Sequence, residues 1–374
     1  MRREFWQQFD FWLFGSVIIL SLLGIVMIRS AIAGNEELAG YDTRQTVFVG
    51  ISLVVLLGAA IIDYHFWSSL TRLMYIAAVV FLVVIFVIGE ATFGSARWIQ
   101  TDLFFIQPSE VAKIILVLVL ADFFARSQDQ PRDLRWILRS FLLAMGLTIW
   151  IILQPNLSTS IVMMVLWFSL LWINGLPLKY VGAIMIIVLI GMVVMLGLLA
   201  AGVKIPFVED YQIARVANFL FPDPNARHGN VYNVEQARVT IGSGGLFGQG
   251  YGHSTQVQLR FLKVRHTDFI FSAMAAEFGF FGTLLVIAML VFVILRCLRA
   301  ARLASDRFGA YIAYGFATLI FFQTVVNIGV NLNLAPVTGL TLPFISYGGS
   351  SLLSLVLGVG LVESVIARQK SFGA

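Results

Sequence analysis

The sequence predicts an all-α, polytopic membrane protein of about ten transmembrane helices, built as a single domain over residues 1–374. Three observations predict it. Of the 374 residues, 59% are hydrophobic and 12% charged, whereas soluble domains carry about 25% charged residues. Apolar runs long enough to cross a bilayer recur from end to end. Between them the basic residues alternate, dense then sparse, as positive-inside topology requires.

The runs fall at 11–33, 45–63, 69–88, 108–126, 136–153, 157–174, 179–203, 268–295, 308–330 and 347–367. Met1, Arg2 and Arg3 lead through 4–10 into the first run with no cleavable signal-peptide pattern. With the N-terminus inside, the cytoplasmic segments hold Arg2, Arg3, Arg72, Arg126, Arg132, Arg135, Arg139, Lys179, Arg296, Arg299, Arg302, Arg307, Arg368 and Lys370. The short outer loops hold only Arg44 and Arg97, and Arg29 is near enough to the outer surface to snorkel there. Both termini are therefore expected in the cytoplasm. The net charge of +5 reads as topology and contact with membrane lipids, not as nucleic-acid binding. A single Cys297 excludes an intramolecular disulfide and a multi-cysteine metal site, and His65, His228, His253 and His266 show no ligand spacing.

One outer loop, about 204–267 and between the seventh and eighth spans, is far longer than the rest. Unstructured loops beyond roughly 15 residues are uncommon unless functional. Within it, 211–221 has helical periodicity suited to the interface, Pro222 to Asn225 form a turn cluster, and 233–241 reads as another short helix. Lys204, Arg215, Arg227, Arg238, Arg260, Lys263 and Arg265 outnumber Glu209, Asp210, Asp223 and Glu235. That basic surplus lies on the side where the positive-inside rule does not place it. A phosphate-bearing partner at the outer leaflet would account for it, and so would incidental charge on a solvated loop.

The stretch His266-Thr267-Asp268-Phe269-Ile270-Phe271 ends this loop and sets a carboxylate at the first turn of an apolar helix. Ionisable groups at the edge of a span are costly and so are functional candidates. An aspartate there would equally serve as a helix cap. Ser272, Ala275, Gly279 and Gly282 follow Asp268 on one small-residue face, while Glu277 points elsewhere. Gln107-Pro108-Ser109-Glu110-Val111-Ala112-Lys113 opens another helix, with Glu110 and Lys113 at i and i+3. They can neutralise each other as a structural pair, or Lys113 can contact a diphosphate from a cavity wall. Arg97 suits phosphate contact, and Trp98 suits either that site or interfacial anchoring.

Residues 242–252 are glycine-rich but lack the context of a nucleotide loop, so they read as a compact turn with left-handed backbone. Residues 327–333 lead through 336–347 into Gly348-Gly349-Ser350-Ser351, a helix start that offers an anion seat at Ser350 or else tight helix packing.

Taken together, HTDFIF, QPSE with its lysine, QPNL, the GSGG loop and PFISYGGSS resemble the SEDS family of bacterial cell-wall proteins over nearly the whole chain. Tyr232-Asn233, the 254–259 stretch, 336–339 and the short N-terminus resemble its elongation (RodA) branch, whereas Leu340-Thr341-Leu342 is closer to its division (FtsW) branch. The resemblance implies a glycosyltransferase of the bacterial cytoplasmic membrane that polymerises lipid II into glycan at the outer face during elongation. It implies a class B penicillin-binding protein as partner, lipid II and nascent glycan as substrates, and Asp268 as the essential loop aspartate. Glu110 and Lys113 match the family's charged cavity residues, and Arg97 and Trp98 match its Arg-Trp pair. Asn156 and Ser158 replace its usual Asp and Gly, and Lys263-Val264 its usual Pro-Glu.

The expected reaction is inverting: a lipid II 4-hydroxyl attacks C1 at the reducing end of the growing chain, and undecaprenyl diphosphate leaves. A sugar hydroxyl needs a general base, worth roughly 10²–10⁴ in rate, and Asp268 is the candidate. Arg97, Lys113, Arg215 and Arg238, with or without a divalent cation (Mg2+ or Mn2+), would balance the diphosphate. His266 and Ser350 complete the substrate-binding candidates. A hard cation held by one carboxylate and phosphate oxygens is a second role for Asp268. The rivals are a lipid II transporter lined by Glu110, Lys113 and Glu277, and a non-catalytic scaffold for the penicillin-binding protein. No inverted repeat is visible in support of a transporter.

Overall fold

The computed structural model describes residues 6–93, 99–100, 105–200, 209–222 and 229–369. Ten long helices dominate it: α1 (Phe11–Ile32), α2 (Tyr41–Ile61), α3 (Tyr64–Phe93), α4 (Pro108–Arg126), α5 (Leu134–Leu153), α6 (Leu157–Ile173), α7 (Leu178–Ala200), α11 (Ile270–Leu303), α12 (Arg307–Asn331) and α13 (Gly349–Ile366). Among the described residues, eight helices are long and apolar enough to cross a membrane. The other two are α6, with 17 residues, and α4, which carries Glu110, Lys113, Asp122 and Arg126. Three shorter helices, α8 (Asp210–Leu220), α9 (Gly229–Ser243) and α10 (Thr255–Gln258), lie in the long loop. A two-residue ladder of β1 (Ile99–Gln100) against β2 (Phe105–Ile106) departs from the all-helical expectation, pairing Ile99 with Ile106.

Polar side chains start the helices where the chain leaves water. Asp10 accepts from the Trp12 and Leu13 amides at 3.1 Å and so caps α1, Asp133 takes the Trp136 amide of α5, and Asp306 takes the Gly309 amide of α12. Each satisfies backbone donors that a helix start leaves free. Buried on nearly every face, α4 lies at the centre of the bundle. Alongside α2 runs α13, and a Cβ on Gly360 would stand 2.6 Å from the Leu56 carbonyl oxygen, so only glycine permits that approach. By contrast, no residue in the apolar window of α7 is buried.

The largest departure from the sequence reading is in the eighth span. It starts at Ile270, not at Asp268, and it is broken at Gly279, where φ is 68° and ψ −167°. The glycine-rich loop repairs the break. Gln249 and Gly250 donate to the carbonyls of Ala276 and Glu277 at 2.9 and 3.1 Å, while Phe280 and Phe281 donate to Gly245 and Leu246 at 2.9 and 3.2 Å. Backbone groups freed inside an apolar helix must find such partners. The loop gets close enough only because Gly248, at φ 85°, has no Cβ: one would lie 2.1 Å from the Glu277 carbonyl oxygen. The single small-residue face expected from Ser272 to Gly282 is thus interrupted at Gly279.

Candidate active site

A cavity of about 510 Å³ opens at the start of α11. Its wall combines 266–268, the first turns of α4 and α6, the segments 338–341 and 347–351, and side chains from α2 and α12. The three carbonyls of the His-Thr-Asp stretch are each held from outside it. Tyr347 donates its amide to His266 at 2.9 Å, and Ser346 its hydroxyl to Thr267 at 2.8 Å. The Asp268 carbonyl accepts from Asn327 at 3.1 Å and from Asn331 at 2.9 Å. Asn327 also donates to Leu340 at 2.8 Å, and Asn331 accepts from the Ser272 amide and hydroxyl at 3.1 and 2.6 Å. Two amides of α12 therefore join the end of the long loop to the segment before α13. Fixed backbone of this kind is what a catalytic side chain needs to hold its geometry.

Asp268 lines the cavity, largely buried, with a carboxylate oxygen 3.8 Å from where a Cβ on Gly339 would lie. It does not cap α11: Phe269 occupies the capping position without a capping hydrogen bond, and the first-turn amide of Ser272 goes to Asn331 instead. Burial raises its pKa from 3.8 to about 6, with Arg215 and the Thr267 hydroxyl acting the other way. A carboxylate so placed is ionised at neutral pH yet basic enough to take a proton. His266 also faces the cavity, edge-on to Tyr41 and Tyr347. Burial, helped by Arg265, lowers its pKa to about 4, so it offers a neutral imidazole and no cation.

Glu110 and Lys113 form an ion pair at 2.8 Å, and Glu110 also accepts from Ser354 at 3.2 Å. Only Glu110 lines the cavity; Lys113 is 0% exposed and stands behind it. Ser350 lines the cavity and accepts from the Gln107 amide at 3.1 Å, and the hydroxyls of Ser351 and Thr341 are 2.8 Å apart. Asn156, at the departure from the family pattern, caps α6 through the Thr159 amide at 3.3 Å, and Ser158 donates to the Thr338 carbonyl at 2.5 Å.

Arg215 of α8 donates to the same Thr338 carbonyl at 3.3 Å and lies 5.3 Å over the Tyr211 ring. It lines a second cavity of about 260 Å³, which shares Gln107, Asn156, Ser158, Thr338 and Gly339 with the first. It also lines a third, of about 230 Å³, together with the exposed Arg238 and with Glu235. Glu277 is 1% exposed and accepts from the Ser30 hydroxyl, away from the cavity. Arg97 and Trp98 lie outside the described residues. No three His, Cys, Asp or Glu side chains converge as a metal cage among the described residues.

Gln323, Asn327 and Asn331 emerge from the structure as site residues that the sequence reading did not single out. Their signal is present at i, i+4 and i+8: three amides on one face of an apolar helix, where polar groups are costly.

The chain matches the family model of the cell cycle proteins FTSW_RODA_SPOVE over residues 10–371. It is 35% identical over 367 residues to a probable peptidoglycan glycosyltransferase FtsW of Hydrogenovibrio crunogenus, covering 95% of this chain and 91% of that one. It is 32% identical over 375 residues to the peptidoglycan glycosyltransferase MrdB of Escherichia coli, covering 99% and 97%. Among solved structures, RodA of Thermus thermophilus is similar at a TM-score of 0.69 and 28% identity, over 97% of this chain and 98% of that one. A chain of a peptidoglycan synthase complex that coordinates polymerization and crosslinking is similar at a TM-score of 0.78 and 28% identity, over 97% and 98%.

Proposed function

Because the chain belongs to the FTSW_RODA_SPOVE family of cell cycle proteins, we propose that it polymerises lipid II at the outer face of the cytoplasmic membrane, with Asp268 as general base. The observation that carries this reading is the largely buried Asp268 carboxylate, fixed through its own backbone in the cavity, with a pKa raised to about 6. It takes the proton of the attacking sugar 4-hydroxyl as that oxygen bonds to C1 of the growing strand. The bond from C1 to the diphosphate breaks, and undecaprenyl diphosphate leaves. Arg215 sits where two side cavities meet and is the cation best placed for the diphosphate. Lys113 contributes through Glu110, whose charge it balances. A divalent cation, held by Asp268 and offsetting the diphosphate charge, would be the alternative to Asp268 acting as base.

The partner is a class B penicillin-binding protein that crosslinks the glycan, and the role is elongation, carried by Tyr232-Asn233 and 336–339. A transport path through Glu110, Lys113 and Glu277 finds little support, because Lys113 and Glu277 are buried in separate polar contacts. Purified protein given lipid II, with and without the partner, should make glycan, and Asp268→Ala should not. Lipid II movement across liposomes without glycan would favour transport. Rescue of cells depleted of their elongation enzyme, and not of their division enzyme, would separate the two roles.

A further inference from the structure

We propose that Gln323 selects the sugar that enters the cavity, by hydrogen bonding to its acetamido group. The inference rests on the cavity being the glycosyl-transfer site. Gln323 is 1% exposed, lines the cavity, and is one turn below Asn327 on the polar stripe of α12. The stripe is satisfied except at this rung. Asn327 donates to the Asp268 and Leu340 carbonyls and Asn331 to the Asp268 and Asn327 carbonyls, while the Gln323 Oε1 has no donor among the described residues. A buried amide oxygen without a partner is destabilising, so Gln323 costs the fold stability unless a ligand supplies the donor.

A substrate N–H does so. The Gln323 oxygen accepts the acetamido N–H, and the acetyl carbonyl, which points the opposite way in a trans amide, is left to other donors. Glu110, on the same cavity wall, is an acceptor already occupied by Lys113 and Ser354. A site built around a hydrogen bond rejects substrates that lack the matching group, because its own buried atom is then left unpaired.

The test uses full-length protein with its partner, lipid II, and two analogues in which one or the other acetamido group is replaced by hydrogen. Wild type should prefer lipid II over one of the analogues by roughly ten- to a hundredfold in kcat/KM. Gln323→Met, similar in volume but apolar, should lose that preference, turn over lipid II more slowly, and unfold at or above the wild-type temperature. Where Gln323→Met is too slow to compare substrates, Gln323→Asn, shorter by one methylene, should keep part of the rate and lose the preference. A methionine variant that unfolds several degrees lower marks a structural glutamine and overturns the proposal. So does an unchanged preference against both analogues in either variant. Wild type that makes no glycan from lipid II would instead refute the underlying reading of the cavity.

Discussion

Replacing Asp268 by asparagine keeps the side chain's shape and removes its charge, which separates what the carboxylate costs the fold from what it does in the cavity. Burial holds its folded-state pKa at about 6, above the ordinary 3.8. The folded protein therefore binds that proton more tightly than the unfolded chain, and stability falls as pH rises from about 4 through about 6. Above that window the full penalty stands. At 1.36 kcal/mol per pH unit the difference amounts to about 3 kcal/mol, a ceiling because the carboxylate keeps some contact with the cavity. Asp268→Asn should consequently unfold a few degrees above wild type at pH 7.5, by roughly 1–3 kcal/mol. The gap should close as the pH is lowered toward 4.

The same preparation should lose roughly 10²–10⁴ in polymerisation rate, and the wild-type rate should fall away below about pH 6 as the base takes up its proton. Thermal unfolding in detergent at several pH values, beside a lipid II polymerisation assay, measures both. An asparagine variant no more stable than wild type at pH 7.5 would refute the desolvation argument. One that kept its activity would refute the role of base.

Arg215 lowers the Asp268 pKa, so Arg215→Met should move the acid limb of the rate profile to higher pH; a limb that stays in place would remove Arg215 from the site's electrostatics. Breaking the Glu110–Lys113 pair from one side, by Glu110→Gln or Lys113→Met, should cost about 3–5 kcal/mol, with much of it recovered in the double variant. Thermal unfolding of the four proteins checks this, and additive losses would count against a coupled pair. Gly248→Ala should prevent folding around the helix break, while Gly242→Ala, with open space at its Cβ, should behave as wild type on size-exclusion chromatography.

The ten long helices were legible because apolar length and the distribution of arginine and lysine are local properties of the chain. Asp268 was legible as a candidate for a related reason: a carboxylate beside a long apolar run has few bland explanations. Its capping role, the bland one available, is absent, because the helix begins two residues later. The Glu110–Lys113 spacing foretold the pair but not that glutamate faces the cavity while lysine stands behind it. That distinction depends on which elements surround α4. Nor could periodicity find the break in α11. Gly279 reads as one more small residue until 244–252 is seen to take over its backbone hydrogen bonds.

That break also fixes the depth of the site. At 1.5 Å per residue, a hydrocarbon core of about 30 Å measured up from Arg296 ends roughly twenty residues higher, near Ala276. Gly279 is therefore within a turn of the outer edge, where an interrupted helix is tolerable only if protein satisfies the exposed backbone. The glycine-rich loop does this from one side, and the α12 amides anchor the short segment above the break from the other. On that measure Asp268 falls beyond the hydrocarbon, and it is burial in protein that desolvates it. A continuous helix would set its start by membrane thickness and tilt alone, which vary. A clamped break ties Asp268 to the cavity wall instead, so the position of its carboxylate is set by hydrogen bonds within one polypeptide.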